Sequence, residues 1–149
     1  MRSVGVALIG VLFACGRAEE TQSADTSVVA VTPPVVTDVA SLAGTWTQRT
    51  MPDGRDTVIT AEIVATGTTE GWTMTMPGQQ PVPIRVRIDG DSIMTETGPF
   101  PSVLREGAMV TTSAVYHAQD GKLVGTMVAR YSGAGADSVM TGRVEAARQ

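Results

Sequence analysis

Three chemically versatile side chains are almost missing from this chain, since cysteine, histidine and lysine occur once each, as Cys15, His117 and Lys122. A single cysteine excludes an intrachain disulfide, and with a single histidine it also excludes a tetrahedral zinc site built from nitrogen and sulfur ligands. Positive charge is scarce as well. Eleven basic against fifteen acidic residues leave a net charge of -4, and the arginines are scattered singly. That balance excludes a phosphate-binding face for nucleic acid and a polybasic patch for anionic lipid. Long apolar runs are absent: the longest, Val4 to Phe13, falls well short of the ~20 residues that a spanning helix needs. No glycine-rich loop precedes a helix, so no phosphate cradle is indicated.

What the chain has in quantity is short runs of Val, Ile, Thr and Met, broken by Gly, Pro or Asp-Gly from Leu42 onward. This pattern predicts an all-β meander with strands near 44–50, 57–65, 71–76, 82–89, 92–97, 108–117, 122–131 and 137–147. The fourth run alternates most clearly, with Val82, Ile84, Val86 and Ile88 on one face and Arg85, Arg87 and Asp89 on the other. One face of the sheet is therefore buried and the other wet. About eight sequential antiparallel strands with one apolar face would leave two unpaired edges. Closure into an up-and-down barrel removes both, and a flattened sandwich is the alternative.

The first strand opens Gly44-Thr45-Trp46, which resembles the Gly-x-Trp of lipocalins and related small barrels. The resemblance implies a lipocalin-like barrel whose floor is closed by Trp46. It also implies an arginine from a late strand packed across that ring, with Arg143 the first candidate and Arg130 the second.

At the N-terminus, Arg2 and the ten-residue apolar run read as an export signal. Leu12-Phe13-Ala14-Cys15 resembles the lipobox of bacterial lipoproteins. The resemblance implies a signal peptide over 1–14, cleavage before Cys15 and acylation of that residue. Two or more acyl chains anchor stably where a single one does not. Gly16 carries no signal for inner-membrane retention, which points to the outer membrane. Residues 17–40 mix acid, Ser, Thr and small apolar side chains around Pro33-Pro34 and have no sustained period. Residues 15–41 are thus expected to form a lipidated, disordered linker with a reach of roughly 30 Å, and 42–149 the barrel domain.

Loops of a meander alternate between its two ends. One end should receive 51–56, 77–81, 98–107 and 132–136, the longer loops with most of the prolines, Met51 and Phe100; the other should receive tight turns and both chain ends. Binding residues concentrate on loops of the first kind. Met74, Met76, Met94, Met109, Met127 and Met140, with Phe100, are candidate lining for a small apolar ligand, because methionine adapts to irregular shapes; their alternative role is solid filling of the core.

No catalytic constellation is legible. Ser113 and His117 share a strand face, but four residues of strand separate them by roughly 13 Å, too far for a nucleophile and its base. Glu62, Glu96, Glu106 and Glu145 alternate along strands as solvent-facing charges do, and Asp89, Asp91 and Asp120 fit Asp-Gly turns. No enzyme activity, cofactor or metal is indicated. Two functions remain: a carrier of a small hydrophobic ligand, and a lipoprotein with a solid core that meets another envelope protein. An interior void of ~300 Å³ or more would mark the carrier; close packing would mark the partner protein.

Overall fold

The computed structural model describes residues 36–133 and 138–149. Cys15 with its export segment, nearly all of the tether and loop positions 134–136 lie outside them. Eight strands follow one another: β1 (Gly44–Pro52), β2 (Ile59–Ala65), β3 (Thr73–Thr75), β4 (Val82–Asp89), β5 (Ser92–Pro101), β6 (Met109–Gln119), β7 (Lys122–Ser132) and β8 (Ser138–Arg148). Each is antiparallel to the next, and β8 returns to pair with β1 from Trp46 opposite Arg148 to Pro52 opposite Gly142. The sheet is a closed up-and-down barrel. The sandwich alternative is overturned by that last seam, which leaves no sheet edge to flatten against a second layer.

Period-two patterning places the core. On β1, Trp46, Gln48 and Thr50 are buried while Arg49 is exposed; on β2, Ala61, Ile63 and Ala65 are buried while Thr60, Glu62 and Val64 are exposed. One interruption is instructive. Ile93 and Thr97 of β5 face inward, yet so does Phe100, three positions on, because the register slips between Thr97 and Phe100. Gly98 makes the slip feasible: its φ is +118°, and a Cβ there would lie 2.6 Å from the Val110 carbonyl oxygen. The bulge turns the phenyl ring into the barrel rather than out to water.

Strand β3 is shorter than its sequence suggested. Its pairing with β4 is limited to Thr73 opposite Pro83 and Met74 opposite Val82. Pro83 lies within that contact and Pro81 just before it, and neither has the N–H group a longer ladder would need.

A 3-10 helix, Val39–Leu42, precedes β1 and was not legible in the sequence. Asp38 caps it by accepting from the Ala40 N–H at 3.0 Å, and Leu42 is buried in the barrel end. Packed structure reaches back further still: the Thr37 N–H donates to the Gly90 carbonyl at 2.9 Å and its hydroxyl to the Asp91 carbonyl at 3.1 Å. At the same end, the Gln149 N–H donates to the Thr45 carbonyl at 2.9 Å. The described N-terminal segment and the C-terminus therefore both leave from the tight-turn end, as loop parity predicts.

Candidate functional site

Along its axis the interior divides into three zones. The tight-turn end is solid: Leu42, Trp46, Trp72, Ile93, Leu123 and Ala146 are all buried. Both indoles find acceptors there, Trp46 Nε1 on the Leu42 carbonyl at 2.9 Å and Trp72 Nε1 on the Thr68 carbonyl at 2.7 Å. The floor is completed by an arginine. Arg148 lies over the Trp46 ring with Cζ 4.5 Å from the centroid, and its guanidinium donates to the carbonyls of Ala43 at 2.5 Å and Ser41 at 2.7 Å.

The middle zone is polar. The Tyr116 hydroxyl donates to Gln48 Oε1 at 2.5 Å, and Gln48 Nε2 donates to Thr50 Oγ1 at 3.0 Å. Thr95, Thr97 and Thr112 border the same space, a cavity of about 10 Å³. Burial pushes the Tyr116 hydroxyl well above the usual tyrosine range, against a smaller opposing effect of its hydrogen bond with Thr95. A chain of satisfied polar side chains in a closed barrel fixes rotamers that an all-apolar core would leave interchangeable.

The third zone, beneath the longer loops, holds a cavity of about 40 Å³, lined among others by Met74, Met76, Met127, Met140, Phe100, Leu104 and Tyr131. The segment 102–108 lies over it. That cap is internally tied, since Ser102 Oγ accepts from the N–H groups of Leu104 and Arg105 at 3.1 and 3.0 Å, and the Ser102 N–H donates to the Ala108 carbonyl at 2.9 Å. It is also fastened to the wall: the Arg105 guanidinium sits 4.3 Å from the Tyr131 ring centroid and donates to the Ser138 hydroxyl. The Tyr131 hydroxyl in turn reaches Met140 Sδ at 3.8 Å.

Five of the seven expected lining residues are thus brought to one place: Met74, Met76, Met127, Met140 and Phe100. Met94 and Met109 are not. Met94 lies between inward-facing Ile93 and Thr95 and so projects outward beside Arg87 and Val115. Met109 precedes buried Val110 and is 38% exposed. Strand parity, applied to each methionine separately, excludes both. It also decides the arginines. Buried Val144 and Ala146 set the inward phase of β8, which Arg148 shares and Arg143 does not. Arg143 is exposed and pairs with Met51, and Arg130 is exposed on β7 opposite Val139. The expected stack on Trp46 exists, but Arg148 makes it. Gln48, Tyr116 and Tyr131 were missed because a sparse polar residue on an apolar face has no periodic signature.

The chemistry of the remaining groups is plain. His117 stands on the outer face with Nδ1 3.5 Å from Asp91 Oδ2, both side chains about half exposed. Glu96 pairs with Arg85 and Glu145 with Lys122, each at 3.0 Å on the surface. Among the described residues no three His, Cys, Asp or Glu side chains converge as metal ligands. Comparison with protein-family models, with curated proteins and with solved structures found no match.

Proposed function

We propose that this chain is an exported bacterial lipoprotein, anchored through Cys15, whose barrel is a filled scaffold that presents its loop-bearing rim to another protein of the envelope. The observation that carries this reading is the size of the interior space. The apolar cavity inside the barrel measures about 40 Å³. A pocket for a lipid-like or drug-sized molecule needs roughly 300 Å³ or more. Carriage of such a ligand in the interior is therefore the weaker reading.

The rim supplies what the interior lacks. Val58, Val103, Met109 and Val139 are exposed by 45%, 43%, 38% and 63%, and all four lie at or beside the loop-bearing end. The other exposed large hydrophobics among the described residues, Val36, Val64 and Val115, lie away from that rim, so the rim carries the larger share of exposed apolar side chains, a feature of contact surfaces. The chain enters the barrel at the opposite end, beside Gly90 and Asp91. A lipid anchor upstream of Thr37 would hold that end toward the membrane and turn the rim away from it, toward protein rather than lipid. In this reading the domain carries out no reaction.

In-cell photocrosslinking tests the proposal. A photoreactive residue at Val103 or Val139 should capture a discrete protein partner, while one at Thr126, exposed on the barrel wall, should not. Equal or absent adducts from the three positions would refute it.

A further inference from the structure

The small cavity of the third zone is suited to something other than an organic ligand. Four methionines line it: Met74 and Met76 from β3 and its end, Met127 from β7 and Met140 from β8. They converge because of register as well as parity. Met74 and Met76 are two apart on the inward phase of one wall. Met127 pairs with Gly142, and Met140 with Ala129, so the partner opposite each leaves room for a long side chain to reach the axis. The hydrogen bond from Tyr131 to Met140 Sδ holds one sulfur in place. Four of the six methionines in the strands' sequence span from 74 to 140 are thus gathered around about 40 Å³, while the other two, Met94 and Met109, face out.

We propose that this cluster is a binding site for a soft monovalent cation, Cu(I) or its redox-stable analogue Ag(I). Thioether sulfur is a soft, neutral donor that selects Cu(I) among biological metals, whereas Mg²⁺, Ca²⁺ and Mn²⁺ require oxygen ligands and Zn²⁺ prefers thiolate or imidazole. Among the described residues no carboxylate, imidazole or thiol borders the cavity, so none of them favours a divalent ion. A single positive charge is also the least costly to place among neutral ligands in an apolar site. Phe100 and Tyr131 line the same space, so the remaining walls near the sulfurs are aromatic and uncharged. Access would run through the cap at 102–108, which is held by the exchangeable contacts of Arg105 with Tyr131 and Ser138 rather than by strand pairing. The site does not depend on the rim's partner: a filled barrel can hold one ion without holding a lipid.

The test uses the full chain, solubilised in detergent, alkylated beforehand so that no free thiol competes, and labelled with ¹³C at the methionine methyls. Ag(I) is the probe. Saturation at one ion per chain is expected, with resonances of at least three of Met74, Met76, Met127 and Met140 shifting and those of Met94 and Met109 unmoved. The double variant M127L/M140L keeps core volume, so it should fold, and it should weaken retention of Ag(I) by more than about tenfold. M94L should bind as the parent does. No saturable retention, fewer than three interior resonances moving, or equal loss in M94L overturns the assignment.

Discussion

Arg148 and Trp46 close the barrel floor together: the guanidinium covers the indole at 4.5 Å and at the same time satisfies the carbonyls of Ser41 and Ala43 at the end of the 3-10 helix. One side chain thereby couples the last strand, the first strand and the segment that leads in from the tether. Arg148→Ala should lower stability by about 1–2 kcal/mol through loss of the stacked cation and the charged hydrogen bonds. Arg148→Lys should recover only part, because an ammonium lacks the planar fork. Arg143→Ala, at an exposed position outside the floor, should change the urea midpoint by less than about 0.5 kcal/mol equivalent.

The Tyr116–Gln48 hydrogen bond lies in the polar middle zone. Tyr116→Phe leaves Gln48 Oε1 without its donor and should cost about 1–2 kcal/mol. A pH dependence follows with a definite sign. The folded Tyr116 holds its proton above the ordinary tyrosine value of 10.0. Below that value both states are protonated and the group contributes no slope. Above it the unfolded chain releases a proton that the folded chain retains, so stability falls as pH rises, by up to about 1.4 kcal/mol per pH unit. Denaturant titrations between pH 8 and 11 should show that decline in the parent and a shallower one in the phenylalanine variant.

Gly125 packs against the neighbouring strand opposite Tyr116, where a Cβ would overlap the Val115 carbonyl. Gly125→Ala should therefore push β6 and β7 apart and destabilise by about 3 kcal/mol or more. Thermal unfolding followed by circular dichroism is a sufficient readout. A variant that melts with the parent would mean that the two strands can separate there without loss.

Strand order, barrel closure and the sorting of loops by end were legible because each rests on local chemistry: alternating apolar residues, Asp-Gly turns and the cost of open edges. The Gly44-Thr45-Trp46 motif located one half of the floor. The motif does not separate Arg148 from Arg143 or Arg130, because sequence order alone does not give strand phase, and the phase becomes visible only once Val144 and Ala146 are placed inside. The inward turn of Phe100 depends on a bulge at Gly98 that interrupts the period it would otherwise be read from. The 3-10 helix at Val39–Leu42 is too short to carry a period at all. Its buried Leu42 is a tertiary fact, as is the convergence of four methionines from separate strands.

The proposed lipid anchor has its own test. Metabolic labelling with an alkynyl fatty acid should mark the chain, and Cys15→Ser should abolish the mark and release the protein from washed membranes. Labelling unchanged by that substitution would remove the anchor and, with it, the outward orientation of the rim.

The filled interior separates a scaffold from a carrier, and native mass spectrometry of the full chain released from mild detergent reads it directly. Expected is a single mass equal to the covalent chain with its acyl groups and no organic adduct, consistent with a cavity of about 40 Å³. A persistent adduct of fatty-acyl or comparable size, displaced when bulk is added at Met127, would contradict it.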